Sequence, residues 1–224
     1  MAMKVRAQLR HARLDGREWR VLRPDPVLDT ALLFEVAPGT EMSHVEMYVD
    51  RSAAYRIGVL WLLASRSRHT IIHLPLRTGR IPEEPEFTGR PLDLVLSQHT
   101  AHLRPSQWPR LRAALGPARP HTVRVPADRR PIDWPEWPTR DRLLDRFHAN
   151  TMFLTGSPAV FRHTAEDFFD LAFGAPGSAP GEESAQHKCF QLHWTSRLLV
   201  NSYNLHVLYR AHWLPSAELV GAPD

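Results

Sequence analysis

The thirty residues from Ser184 to Trp213 contain neither glycine nor proline. An uninterrupted run of that length reads as one helix, roughly 45 Å long at helical rise. Glu182 and Glu183 precede it where negative charge favours a helix start, and Ser184 supplies an N-cap. Arg210 and His212 lie at its far end, before Pro215. Trp194, Leu198, Leu205 and Leu208 make an apolar stripe at helical spacing, interrupted by Asn201. A second line of Ser196, Leu199, Tyr203, His206 and Arg210 carries hydroxyl and imidazole groups. Tyr203 and His206 sit three apart, close enough on a helix to act as an acid–base pair. The plainer alternative is that Tyr203 packs and His206 is solvated.

Before that run the patterning is mostly extended. Val5, Ala7 and Leu9 alternate with polar neighbours, Asp15-Gly16 marks a turn, and Trp19 to Leu22 returns as a second hairpin arm. Residues 31–36 read as a buried strand or a short helix, which periodicity does not settle, and strands follow at 45–49, 70–76, 92–97 and 121–125. Between them, helices are expected from Ala53 to about Ser65, capped by Ser52, and from Ser106 to about Leu115. The first of these helices has Tyr55, Val59, Leu62 and Leu63 on its inner side. Residues 81–91 read as loop, and the proline-rich stretch 126–138, with Trp134 and Trp137, as a docked extended segment. From Thr139 the pattern turns helical, with one helix to Leu154 and another after the Ser157-Pro158 cap. The expected fold class is therefore α+β: an N-terminal mixed sheet with one or two crossover helices, then a C-terminal three-helix segment including the long central helix. It is read as a single domain, residues 1–224, with a sheet-rich half (1–138), a helical half (139–224) and a flexible loop at 174–183.

Charge and chemistry narrow the function classes. The net charge is +4, but only Lys4 and Lys188 are lysines and the 26 arginines form no long block. That dispersion favours acidic peptides or anionic ligands over nucleic acid. One cysteine, Cys189, excludes an intramolecular disulfide and thiolate-rich metal sites. Of thirteen histidines, His69 and His73 are four apart on a strand, about 13 Å, too far to chelate one ion. No HExxH, glycine-rich phosphate loop or nucleophile elbow occurs. Neither a metal nor a cofactor is expected. The N-terminus has no secretory h-region, and the longest apolar run, Ile57 to Ala64, is too short for a bilayer. A cytoplasmic protein, not bound to membrane, is the expectation.

Two segments carry a family resemblance. Arg146 to Leu154 (RFHANTMFL) resembles a signature helix of the C-terminal elimination domain of lantibiotic dehydratases, and Leu192 to Val200 (LHWTSRLLV) resembles that domain's closing helix. Asn150-Thr151 stands where that family has Asp-Ser, and Ser196 where it has Asn. Such departures are similar to those of the stand-alone thiopeptide and pyritide pyridine synthases. The resemblance implies a cofactor-free cyclase or lyase of peptide natural-product (RiPP) biosynthesis. It would join two dehydroalanines of a dehydrated, leader-bearing precursor peptide by formal aza-[4+2] cycloaddition, then lose water and the leader to leave a pyridine-centred macrocycle. Tyr203, Ser196 and His193 are its candidate catalytic donors, with Arg197, Asn201 and Asn150 binding substrate. The alternative is a non-catalytic module of the same scaffold that binds a leader peptide or partner.

Overall fold

A computed structural model of the chain describes residues 2–40, 43–86, 89–126, 141–174, 188–193, 198–202 and 204–214. Its first feature is the hairpin of β1 (Ala2–Leu14) and β2 (Arg17–Pro24), in which Leu14 pairs with Arg17 across a two-residue turn. Asp15 and Gly16 both have positive φ, 50° and 75°, as the twist-matched turn of a tight hairpin requires. Side chains alternate along both arms. Met3, Val5 and Ala7 of β1 join the main core, while Ala12 of β1 and Trp19 and Val21 of β2 pack on the opposite face.

The chain then leaves this sheet to start another. β3 (Ala31–Val36) and β4 (His44–Val49) pair antiparallel and lead into α1 (Arg51–Arg66), after which β5 (Thr70–Leu74) returns parallel to β2. The short β6 (Arg90–Pro91) edges β3, and β7 (Asp93–Gln98) lies antiparallel to β5. Two short 3₁₀ turns and α2 (Trp108–Ala113) precede β8 (Arg119–Pro126), which covers the edge of β1. β9 (Leu144–His148) and β10 (Thr151–Gly156) form a second hairpin, β10 running parallel to β7. After α3 (Pro158–Phe173), β11 (Cys189–His193) and β12 (Asn204–Tyr209) join the second sheet, β12 parallel to β4. The result is α+β, with a seven-stranded sheet ordered β8-β1-β2-β5-β7-β10-β9 and a five-stranded sheet ordered β11-β12-β4-β3-β6.

The central helix is α1. Ten of its sixteen residues are buried, among them Ala54, Ile57, Val59, Leu60 and Trp61, so it is apolar nearly all round, as a helix enclosed by protein must be. Tyr55 and Leu63, expected on its inner side, are only partly buried. Asp50 rather than Ser52 caps it, accepting the Ala53 N–H at 2.7 Å. α3 packs along α1, capped by Ser157 with Pro158 in the first turn, as its sequence indicates. Trp61 donates its indole N–H to Thr164 Oγ1 at 2.8 Å and lies against Phe161 and Phe168. The helices touch most closely at Gly58, where a Cβ would sit 2.9 Å from Phe169 Cε1 and 3.2 Å from Phe168 Cβ. Gly58→Ala should therefore destabilise the fold by about 1–2 kcal/mol, overpacking outweighing the gain in helix propensity. A thermal melt no lower than wild type would show that the helices separate freely.

Among the described residues there is no C-terminal three-helix segment; α3 is the one helix there. Residues 144–154, expected within a helix, belong instead to the β9–β10 hairpin. Its turn places Ala149 at φ 48°, a left-handed conformation unannounced by glycine. The long helix from Ser184 to Trp213 is replaced by β11 and β12. Leu205 and Val207 point into the core, while His206 pairs with Glu46 away from it. That period-two pattern competes with the helical stripe and wins because β12 is flanked by strands on both sides. No proline or glycine is needed to break the run, because a buried carboxylate does so. Asp145, 0% exposed, accepts the N–H groups of Val200, Asn201 and Ser202 at 3.0, 2.8 and 2.5 Å. The expected loop at 174–183 beyond Gly174, the docked segment beyond Pro126, and Trp194 lie outside the described residues. Among the described residues, no helix is long and apolar enough to cross a membrane.

Candidate functional site

One face of the seven-stranded sheet meets the core helices; α2 packs on the other. Trp108 and Leu111 of α2 press onto Ala12, Trp19, Val21, Ile71, Val95 and Phe153, a second, smaller apolar cluster. Strand alternation sends the polar residues of that same face to the margins of α2. Arg10 lies two residues from Ala12, Arg23 two from Val21, His73 two from Ile71 and Asp93 two from Val95. Four strands thus deliver four polar side chains to one place.

There they line a cavity of about 270 Å³ with Arg77, which follows β5, and Arg112 of α2. Its centre is a buried pair: His73 is 4% and Asp93 3% exposed, with Nε2 and Oδ2 3.5 Å apart. Asp93 also accepts the Arg77 backbone N–H at 3.4 Å and lies 3.6 Å from Arg77 Nε. The Trp108 ring stands edge-on to the imidazole at 5.1 Å. Burial holds the His73 imidazole below its ordinary pKa against the pull of Asp93, and Arg23 and Arg112 reinforce the shift. His73 is consequently neutral at pH 7, able to accept a proton. Burial pushes the Asp93 carboxyl up, but His73 and Arg77 more than offset this and hold it below the usual value.

The arginines are not balanced by this one carboxylate. Burial holds Arg23 below its ordinary pKa, and the charges of Arg10 and Arg112 add to the effect while Asp93 opposes it. The Nε of Arg10 is buried without an acceptor among the described residues. Four guanidinium groups around a cavity with one carboxylate form a site suited to an oxyanion, which their fork geometry grips through paired N–H donors. A cleft of about 440 Å³ adjoins it, sharing Arg77 and Arg112 and lined also by Trp108, Pro109, His148 and Asn150. A larger depression of about 660 Å³ lies near Arg17, His102, Arg104 and Arg146. Its described lining includes no imidazole–carboxylate pair, so the smaller cavity has the stronger chemistry.

The residues singled out in sequence fall elsewhere. Tyr203, Ser196 and Arg197 lie outside the described residues. His193 ends β11 in the five-stranded sheet, its carbonyl accepting the Leu198 N–H at 3.2 Å, and it lines none of the three cavities. Asn201 serves the turn: its backbone N–H goes to the Asp145 carboxylate and its side-chain amide to the Asp145 carbonyl. Of the described candidates, Asn150 alone reaches a cavity, in the β9–β10 turn at the rim of the adjoining cleft. His206 lies on β12 rather than on a helix. Its Nδ1 is 3.2 Å from the carboxylate of Glu46, which is 1% exposed and also 3.2 Å from His44 Nε2. Among the described residues, no group of three or more His, Cys, Asp or Glu side chains is arranged to hold a metal ion.

No family model, no curated protein and no solved structure matches the chain.

Proposed function

We propose that the protein binds a small molecule through a doubly charged oxyanion group, a phosphate or dicarboxylate, in the Arg10–Arg23–Arg77–Arg112 cavity. His73, oriented by Asp93, exchanges a proton with that ligand. The observation carrying this reading is the convergence of four guanidiniums on a cavity with one carboxylate, where Arg10 Nε has no acceptor among the described residues. A neutral imidazole beside a bound anion is the arrangement of a general base, and the attached carboxylate stabilises the imidazolium formed. Calorimetric titration with inorganic phosphate, pyrophosphate and malonate tests binding. At least one should bind with a Kd below about 1 mM, equivalent to about 4 kcal/mol. Arg10→Ala and Arg23→Ala should each weaken it tenfold or more, whereas His73→Gln should leave affinity within threefold and abolish any turnover. Equal affinity in both arginine variants would remove the assignment.

A second reading keeps the pyridine-synthase resemblance. It is favoured by Asn150, a residue of the resembling segment, which borders a cleft flanked by Arg77 and Arg112. An acidic leader peptide would find cationic partners there. Mass spectrometry of a bis-dehydroalanine peptide incubated with the protein tests it: formation of a pyridine product supports a cyclase. Leader binding without product supports the non-catalytic module, and neither result leaves the small-ligand reading alone.

A further inference from the structure

We infer that the ligand of the arginine cavity is a two-part molecule, a dianionic head joined to an uncharged body the size of a sugar or dipeptide lying in the adjoining cleft. The inference rests on the reading of the cavity as an oxyanion site and says what that oxyanion is attached to.

Arg77 and Arg112 line both the cavity and the cleft, so the two spaces meet at those side chains. The chemistry of the lining changes across that boundary. On the cavity side it is cationic, with His73 and Asp93. On the cleft side α2 contributes the apolar Trp108 and Pro109, and the β9–β10 hairpin contributes the hydrogen-bonding side chains of His148, Asn150 and Thr151. Among the described residues no carboxylate lines the cleft, so the described lining does not favour a cationic body. Spaces of about 270 and 440 Å³ together exceed what a bare phosphate or malonate fills, and fall within the roughly 300–1,000 Å³ typical of small-molecule sites.

The two walls are also one mechanical unit. The backbone N–H of Asp93 donates to the Asn150 carbonyl at 2.9 Å, while the Asp93 side chain orients His73 and Arg77. The turn at Ala149 is pinned by Arg90 Nη1, which donates to its carbonyl at 3.2 Å. A ligand seated in the cavity therefore meets a cleft wall already fixed in place, and ordering that wall adds little to the cost of binding.

Phosphomonoesters and dicarboxylates share the head chemistry, and paired probes separate them. Calorimetry would compare inorganic phosphate with glucose 6-phosphate, and glutarate with N-acetylalanylglutamate. One extended probe should bind at least tenfold more tightly than its bare head. The His148→Ala, Asn150→Ala double variant should reduce that advantage below threefold while leaving the affinity of the bare head within twofold. Bare and extended probes of equal affinity, or an advantage untouched by the double variant, would overturn the two-part ligand while leaving the oxyanion cavity standing. If no probe binds, or if Arg10→Ala and Arg23→Ala change nothing, the cavity reading fails and this inference with it.

Discussion

Asp145→Ala should lower the unfolding free energy by about 3–5 kcal/mol, a loss large enough to leave a fraction of the protein unfolded. The carboxylate is fully buried and terminates three backbone N–H groups, Val200, Asn201 and Ser202, that have just left one strand and are about to enter another. Removing it strands these donors and frees the segment that aims β12 at β4. Asp145→Asn keeps the shape and one accepting oxygen, so it should lose less, about 1–3 kcal/mol. Denaturant unfolding measures both. Hydrogen exchange at Val200 to Ser202 supplies a local readout: these amides should lose protection in Asp145→Ala before the β1–β2 hairpin does. An unfolding midpoint equal to wild type would mean that the turn is held by something other than this carboxylate.

Asp167 should make the protein less stable as the pH rises. Burial pushes its carboxyl up to about 7, and the neighbouring charges of Asp170 and Glu166 add to the shift. Between the ordinary carboxyl value near 4 and that raised value, the folded state holds a proton that the unfolded chain has released. Stability from this group is therefore complete below pH 4 and lost progressively up to pH 7. At 1.36 kcal/mol for each unit, the loss amounts to about 4 kcal/mol. Asp167→Asn should match wild type at pH 4 and exceed its stability by about 3–4 kcal/mol at pH 8. Melting curves across that range decide it; parallel pH profiles for the two proteins would refute the raised carboxyl. His73 acts in the opposite sense, because its depressed value withdraws stability as the pH falls below about 6.5. With Asp167 replaced, the acid side of the profile should be governed by His73 and the depressed Asp93.

Much of the first half, and the start of α3, was legible because the signals are local. Asp15-Gly16 dictates the hairpin, the alternation of Val5 and Ala7 dictates its buried face, and Ser157-Pro158 starts α3 where it says it should. The C-terminal strands were not legible, because what breaks the chain near residue 200 is a carboxylate 55 residues upstream. The short alternation of Leu205 and Val207 around His206 is outweighed by the helical stripe until β4 offers its edge. The β9–β10 turn was hidden for a related reason: an alanine takes the left-handed position that glycine usually announces. The candidate site was hidden because its members are far apart in sequence. Arg10, Arg23, His73, Asp93 and Arg112 become neighbours only once the order β1-β2-β5-β7 is fixed. One partial signal was available, since Arg10 and Arg23 share a face of the predicted hairpin with Ala12 and Val21. His73 was weighed only as a metal ligand beside His69, and its partner Asp93 lies two strands further along the chain.

The placement of β12 between β11 and β4 also sets a timetable for synthesis. Its contact with β4 joins residues 160 positions apart, so the five-stranded sheet cannot close until nearly all of the described chain has been made. Contacts of that range are slow to find. Until then β4 presents Val45, Met47 and Val49 along an unpaired edge, the kind of surface that nascent chains stick by. A ribosome stalled before Asn204 would hold a finished β1–β2 hairpin beside a half-built sheet. Holding chaperones should be needed most in that interval, and a message truncated there should yield inclusion bodies rather than a smaller folded protein.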